Sequence, residues 1–344
     1  MDSHLILIFS FWLATFLMWF MVIPLYIDFL KEFKLWKQIR EHATIWKATE
    51  FFRLHKDKVW TPTMWWAIIL FIVIFMVWIS IVLQYFWFIN NSLLNQKETY
   101  LSLFTLIAVW LIWLIDDYMN IRGIWRTKWL SAKFKMFWLT LFAFIWALWF
   151  YIKLGWYDKD LFVPYFDTLS IWVWFIPLFV FIIVAFSNSV NITDWLDWLC
   201  WWLLLFTYSV YAYITYDQWL FLLSTLCVSI IWALVAFLWI NVKPAKFYMW
   251  DVWSLALGAN LWIMAMITNT LFILIIVWFI FILEAKSVVI QLTSKKLRNG
   301  KKIFKIAPFH HHLEAIWWSE ENVVFRLWLV WIILSVAWII VYSL

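Results

Sequence analysis

The chain has 344 residues, of which 67% are hydrophobic and 13% are charged, and its formal net charge is +6. Soluble domains carry about 25% charged residues, so this composition leaves too little polar surface to cover a water-soluble fold. The 26 basic and 20 acidic residues cluster between long apolar segments, which indicates an integral membrane protein without a soluble domain.

Ten apolar segments are long enough to cross a membrane as helices, because a bilayer core of about 30 Å requires about 20 helical residues. The first segment is too long for a cleaved signal peptide, so we interpret it as an uncleaved span. We expect an all-α, polytopic membrane protein with about ten transmembrane helices, in which residues 1–344 form a single membrane-embedded domain. In chain order, the segments lie at residues 5–30, 63–88, 99–115, 134–152, 171–187, 196–214, 218–240, 251–267, 270–292 and 322–343.

The loops between these segments alternate in charge. Counted from the N-terminus, the odd-numbered loops carry 21 of the 26 Lys and Arg residues, whereas the even-numbered loops carry only Lys97, Lys153 and Lys159. Basic loops of membrane proteins stay in the cytoplasm. We therefore expect the odd-numbered loops in the cytoplasm and both termini outside.

Two adjacent carboxylates, Asp116 and Asp117, end the third predicted span. Carboxylates this close repel each other unless a cation or a proton lies between them. The pair therefore fits Mg²⁺ binding or general-base chemistry, although an ordinary solvated helix end explains the same spacing.

Amides and acids precede the sixth predicted span, at Asn191, Asp194 and Asp197. Asp194 and Asp197 are three residues apart and share one face of a helix. Helix capping accounts for one acid at such a position, but not for this density of polar groups. Asp251, just before the eighth span, is compatible either with a simple N-cap or with a functional site.

Three consecutive histidines, His310 to His312, lie in the last basic loop. Histidines bind phosphate when protonated, relay protons or ligate metals, but adjacent imidazoles converge poorly on one zinc ion. Phosphate contact is therefore the better functional interpretation, beside that of a solvated interfacial loop. Cytoplasmic lysines such as Lys58 and Lys133 mostly follow the orientation rule, and a few could neutralise a diphosphate. Together, these groups on one membrane face indicate a site for Mg²⁺ and a diphosphate.

The polar loops contain six short motifs, at His55–Trp66, Asp116–Tyr118, Lys128–Lys133, Ser187–Trp198, Phe247–Gly258 and Ala307–Glu314. In sequence and in order they resemble the motifs of the phospho-N-acetylmuramoyl-pentapeptide transferase family, bacterial enzymes of peptidoglycan synthesis. The resemblance extends over residues 33–343. Its A-P-x-H-H-H-x-E and T-P-T-M segments favour this branch over related enzymes that load N-acetylhexosamine phosphates onto the same lipid.

The resemblance implies an enzyme that transfers phospho-N-acetylmuramoyl-pentapeptide from UDP-N-acetylmuramoyl-pentapeptide to undecaprenyl phosphate, with lipid I and UMP as products and Mg²⁺ as cofactor. It implies a multi-pass protein of the bacterial plasma membrane, with its active site on the cytoplasmic face, a homodimeric assembly and no nucleic-acid partner. Two alternatives stay open: a polyprenyl-phosphate N-acetylhexosamine-1-phosphate transferase of another envelope glycan, and a non-catalytic transporter or scaffold. The position of the acids at span ends disfavours a transporter.

The resemblance also implies roles for individual residues. Asp251 and Asp117 would hold the metal, and Asp116 with Asp117 would deprotonate the lipid phosphate or support the metal. The implied catalytic residues are Asp116, Asp117, Asp251 and His310. The implied substrate-binding residues are Lys58, Thr63, Lys133, Asn188, Asn191, Asp194, Asp197, Ser254, His311 and His312.

Tryptophan stands where the family motifs carry glycine. The chain has 35 Trp and only 4 Gly, whereas Gly averages about 7% of protein residues. An indole beside a phosphate-binding acid would fill the space that glycine leaves open. We interpret these residues as UGA codons that encode Gly in the source organism and were translated as Trp. The positions at which the family carries glycine are Trp60, Trp65, Trp66, Trp129, Trp195, Trp198, Trp250, Trp253 and Trp317, whereas Trp239 and Trp318 resemble family tryptophans.

Overall fold

The computed structural model describes residues 3–32, 66–122, 132–196, 198–241 and 250–343. These residues form twelve α-helices and one small β-hairpin. In chain order the helices are α1 (Ser3–Glu32), α2 (Trp66–Tyr85), α3 (Lys97–Arg122), α4 (Ala132–Lys153), α5 (Phe175–Thr193), α6 (Leu199–Asp217), α7 (Phe221–Ile240), α8 (Trp250–Ile267), α9 (Leu271–Val277), α10 (Phe279–Leu297), α11 (Phe309–Ala315) and α12 (Glu320–Tyr342).

Most of these helices are long and apolar because a membrane span must satisfy its backbone hydrogen bonds internally. In the described part of the chain, α1 to α7 and α12 have the length and hydropathy to cross a membrane. Helices α9 and α10 together would make a ninth span that bends by 74°. The prediction of an all-α, polytopic membrane protein is therefore confirmed. The count of ten spans and the outside location of both termini stay predictions.

Two predicted spans differ from simple membrane-crossing helices. The segment expected at 251–267 is α8, whose apolar part, Trp253–Ile267, is shorter than a full span. Nearly every side chain from Trp253 to Met266 is buried, so α8 is enclosed by protein rather than by lipid. The segment expected at 270–292 is divided at Trp278, which lies between α9 and α10 and is fully buried.

A β-hairpin lies in a loop that the charge pattern assigns to the outside, and the sequence analysis did not predict it. Strands β1 (Leu161–Val163) and β2 (Asp167–Leu169) pair antiparallel, with Leu161 opposite Leu169. Asn269 holds the hairpin against the α8–α9 turn. Its Oδ1 accepts from the N–H of Phe162, and its Nδ2 donates to the carbonyl of Asp160, both at 3.2 Å.

Helix α8 packs between α3 and α5 at the centre of the bundle. Gly258 permits the close approach to α5, because a Cβ at this position would lie 3.0 Å from Ser187 Cα and 3.1 Å from the Phe186 carbonyl oxygen. Two residues further on, the buried Asn260 donates to the Ser102 carbonyl and hydroxyl on α3, at 2.8 and 2.7 Å. These contacts fix the position of α8 along both neighbours.

We expect Gly258→Ala to lower the free energy of unfolding by about 1–3 kcal/mol, because the added methyl group must displace the backbone of α5. Thermal unfolding in detergent, followed by intrinsic fluorescence, measures the change. Gly155→Ala is the matched control, because a Cβ there meets no atom within 4 Å and only the left-handed backbone at φ 70° is strained. Equal melting temperatures for the two variants would contradict the close-packing argument.

Candidate active site

The structure joins two of the polar motifs through a direct hydrogen bond. Asn191, near the end of α5, donates from Nδ2 to Ser254 Oγ near the start of α8, at 3.1 Å. These residues are 63 positions apart in the chain, and Ser254 is fully buried. Both were expected to bind substrate, so the fold brings together two predicted site residues that the sequence alone does not connect.

The end of α5 places Asp194 beside this pair. The helix closes with a bond from the Asp194 N–H to the Val190 carbonyl at 3.1 Å, and the chain then turns sharply towards α6. Asp194 is half-buried and follows Asn191 by three residues, a spacing that puts two residues on the same side of a helix. The predicted acid therefore lies next to the Asn191–Ser254 contact.

The aspartates of the other motifs lie on helices that flank the same contact. Asp251 is in the first turn of α8, three residues before Ser254, and Asp116 and Asp117 are in the last two turns of α3. In the predicted topology, spans three and eight run in opposite directions, so for the packed pair α3 and α8 the topology predicts that these three residues lie at one end.

The remaining predicted residues of the first four motifs are more scattered. Asn188 is half-buried, and its Nδ2 donates to the Val184 carbonyl at 2.7 Å, with Met136 Sδ at 3.7 Å. Lys133 lies in the first turn of α4. Lys58, Thr63 and Asp197 lie outside the described residues.

The three histidines belong to the short helix α11 rather than to a loop. His310 and His311 are buried, so the alternative of a solvated interfacial loop is wrong. The Nδ1 of each ring contacts a different group. His310 Nδ1 lies 3.0 Å from Glu284 Oε2, His311 Nδ1 lies 2.6 Å from Glu314 Oε2, and His312 Nδ1 accepts from the backbone N–H of Lys305 at 3.2 Å.

Helix α10 supports this histidine group and connects it to α5. At the start of α10, Trp278 Nε1 donates to Ser189 Oγ of α5 at 2.9 Å. Further along, Gln291 Oε1 accepts from the N–H groups of Ile303 and Phe304, both at 3.0 Å, and its Nε2 donates to the Phe304 carbonyl at 2.8 Å. The chain that leads into α11 is therefore fastened to α10.

Glu284 contacts the predicted site residue His310, and the sequence analysis did not single it out. Lys286, which stands two residues later in the ninth predicted span, is exposed. Glu284 is fully buried. A carboxylate inside an apolar helix is costly, and such residues mark functional sites in membrane proteins. This signal was present in the sequence.

The chemistry of the described donors fits a hard cation. Mg²⁺ prefers carboxylate, carbonyl and hydroxyl oxygens, and Asp194, Asn191 and Ser254 supply oxygens of these kinds at one end of the bundle. Within the described part of the chain, no three His, Cys, Asp or Glu side chains form a ready-made metal cluster.

The backbone conformation gives independent information on the tryptophans. Among the described residues, eight non-glycine residues have positive φ, and five of them are tryptophan, with φ from 36° to 82°. Positive φ favours glycine, and a bulky residue there is an outlier. Two of the five stand at motif positions assigned to family glycines. The five are Trp87, Trp172, Trp198, Trp219 and Trp317.

Several buried indoles also lack a polar partner. The Nε1 atoms of Trp19, Trp113 and Trp262 are buried in the described structure and make no hydrogen bond. A buried tryptophan usually finds an acceptor for its N–H, and burial of an unpaired polar group costs free energy. These positions therefore accommodate tryptophan poorly.

Comparisons with known proteins agree with the motifs. The glycosyl transferase family 4 model matches residues 99–269. The chain is 35% identical over 302 residues to a phospho-N-acetylmuramoyl-pentapeptide-transferase of Pelobacter propionicus. This alignment covers 82% of this chain and 80% of that protein. Proteins of the same name from a Geobacillus species and from Thermodesulfovibrio yellowstonii are 31% and 32% identical, over 92% and 94% of this chain and 92% and 89% of their own lengths.

Proposed function

Because the chain belongs to the phospho-N-acetylmuramoyl-pentapeptide transferase family, we propose that it transfers phospho-N-acetylmuramoyl-pentapeptide from the UDP-linked precursor to undecaprenyl phosphate, releasing UMP and forming lipid I. The Asn191–Ser254 hydrogen bond carries this proposal. It joins two family motifs at the end of the bundle where the predicted aspartates gather. A polar cluster at the ends of membrane helices suits a reaction between a soluble nucleotide and a lipid.

The location of the reaction follows from the charge pattern. The polar motifs lie in the basic, odd-numbered loops, which membrane proteins keep in the cytoplasm. The UDP-linked precursor would therefore enter from the cytoplasmic side of a bacterial plasma membrane, while the prenyl chain of the acceptor stays in the bilayer. A homodimer remains an expectation from the family.

In the reaction, an oxygen of the lipid phosphate attacks the phosphorus that carries the sugar. A new P–O bond forms, and the bond from this phosphorus to the bridging oxygen breaks, so that the oxygen leaves with UMP. Asp116 and Asp117 would keep the attacking phosphate free of its proton. Asn191, Asp194, Asp197 and Lys58 would orient the nucleotide and diphosphate, and His310 would contact a phosphate oxygen.

Asp251 and Asp117 would hold Mg²⁺, since the oxygen-rich donor set at this end of the bundle suits that ion. The bound ion would offset the negative charge that develops on the diphosphate as UMP departs. The remaining groups, Thr63, Lys133, Asn188, Ser254, His311 and His312, would bind or orient substrate.

We further propose that the natural protein carries glycine at the nine motif positions written here as tryptophan. The left-handed backbone at Trp198 and Trp317 supports the proposal, since glycine adopts this conformation without strain. Trp253, which precedes Ser254 in α8, is fully buried, so glycine there would leave space inside the bundle near the start of α8.

Mass spectrometry of peptides from the native protein tests the glycine proposal directly. We expect peptides that span residues 198 and 317 to have the masses of glycine-containing peptides, because the local backbone suits glycine. Trp239 and Trp318, which resemble family tryptophans, are internal controls and should keep the mass of tryptophan. Tryptophan masses at 198 and 317, or UGG codons at those positions, would contradict the proposal.

The transferase activity is tested by UMP release. We expect the full chain with glycine at the nine positions to release UMP when supplied with UDP-N-acetylmuramoyl-pentapeptide, undecaprenyl phosphate and Mg²⁺. The chain with tryptophan should release little, because the indoles occupy space at the site. UMP release from UDP-N-acetylglucosamine alone would identify the related hexosamine-phosphate transferase instead, and no release from either nucleotide would contradict a transferase.

Asp251→Asn tests the metal role in the active chain. We expect kcat for UMP release to fall by at least about a hundredfold, because the neutral amide holds Mg²⁺ weakly and the charge of the departing UMP is less well balanced. Asp158→Asn is the matched control, because Asp158 is an exposed acid beside the hairpin, on the side assigned to the outside. Unaltered kcat in Asp251→Asn would remove this residue from the metal site.

A further inference from the structure

Glu284 and His310 form a fully buried pair between α10 and α11. Glu284 Oε2 lies 3.0 Å from His310 Nδ1 and accepts from the backbone N–H of His310 at 3.2 Å. Both side chains have zero solvent exposure. One carboxylate oxygen thus holds the histidine by its ring and by its main chain, which fixes both the position of the residue and the rotation of the ring.

The contact is one that a single tautomer of the ring can make with a carboxylate. A carboxylate only accepts hydrogen bonds, so in such a pair Nδ1 is the donor. The neutral ring is then the Nδ1–H tautomer, in which Nε2 carries the lone pair. In the described structure, Nε2 of His310 is buried and has no hydrogen-bond partner.

A structural role alone explains this arrangement poorly. Burying a carboxylate in an apolar helix is unfavourable, whereas an apolar side chain would pack α10 against its neighbours without that cost. The second carboxylate oxygen, Glu284 Oε1, is also buried without a hydrogen-bond partner among the described residues. The pair therefore resembles a preoriented functional group more than an element of packing.

The pair is connected to the candidate active site through α10. Trp278 Nε1 on the α9–α10 break donates to Ser189 Oγ at 2.9 Å, and α10 packs against α5. Ser189 stands two residues before Asn191, which contacts Ser254. The helix that carries Glu284 is therefore fastened to the helix that carries Asn191 and Asp194.

We propose that Glu284 is a positioning residue for the phosphate transfer: it holds the neutral His310 ring as the Nδ1–H tautomer, so that the lone pair of Nε2 faces a phosphate oxygen of the substrate. Nε2 takes up a proton from water, and the resulting imidazolium, paired with the Glu284 carboxylate, donates that proton to the phosphate oxygen. The role rests on the proposed transferase function. Glu284 itself does not touch the substrate, and its effect passes through the His310 ring.

Nitrogen-15 NMR of the full chain with labelled histidine tests the tautomer without any need for turnover. We expect the Nδ1–H form at His310, loss of that form in Glu284→Leu, and its retention in Glu284→Gln, because the amide oxygen of glutamine still accepts from Nδ1. The Nδ1–H form persisting in Glu284→Leu would overturn the proposal.

Kinetics of UMP release test the functional consequence. We expect Glu284→Leu to lower kcat by about a hundredfold or more, as for loss of a proton-transfer group. The KM for the UDP-linked precursor should stay nearly unchanged. Glu284→Gln should recover part of the rate. In a His310→Ala background, Glu284→Leu should cause no further loss, because residues that act as a unit are not additive. Independent losses in the double variant would overturn the positioning role.

Thr105→Val is the matched control for the loss of stability that follows when a buried hydrogen bond is removed. The substitution removes Thr105 Oγ1, which accepts a buried hydrogen bond from Trp146 Nε1 at 2.7 Å. Both residues lie outside the polar motifs. The melting temperature of Thr105→Val should fall as in Glu284→Leu while kcat is retained. If the chain with glycine at the nine positions and no further substitution releases no UMP, the transferase proposal fails, whereas the NMR result still decides whether Glu284 sets the tautomer.

Discussion

The close contact between α8 and α5 at Gly258 is the constraint on which the site depends. With no room for a Cβ between the two backbones, α8 can approach α5 closely enough for Ser254, four residues earlier, to reach Asn191 at 3.1 Å. On the other side, Asn260 fixes α8 to Ser102 of α3. A shift of α8 along its axis would separate the polar motifs, so apolar packing in the middle of the bundle determines the polar geometry at its end.

A membrane enzyme must keep charged groups near apolar helices without leaving them unpaired. Here most acids of the motifs stand near the ends of helices, and a position outside the apolar middle of a span avoids most of the cost of burying a charge. Glu284 is the exception. Its position inside α10 is tolerated because the main chain and ring of His310 both approach the same oxygen, and the cost indicates a role that packing alone would not require.

The sequence predicted the elements whose signals are local. Long apolar segments predicted membrane-spanning helices, whereas the orientation inferred from the uneven distribution of lysine and arginine stays a prediction. The hairpin was missed because its two strands have only three residues each and depend on Asn269, 107 residues away from Phe162. The bend at Trp278 depends on a bond to Ser189, and the Glu284–His310 pair joins separate helices. Such contacts exist only in the folded chain, although the buried acid itself was visible in the sequence.

The backbone conformation at the tryptophans bears on which residue type suits each position. The motif resemblance marked Trp198 and Trp317 as glycine positions, and the backbone places both in the left-handed region, at φ 75° and 82°. Trp87, Trp172 and Trp219 share this conformation although no motif marked them. A side chain as large as an indole has no local reason to favour positive φ, since it cannot bond to its own backbone as Asn or Asp does. These three residues therefore share the backbone conformation that glycine adopts without strain, which is the observation that supports the glycine proposal at Trp198 and Trp317.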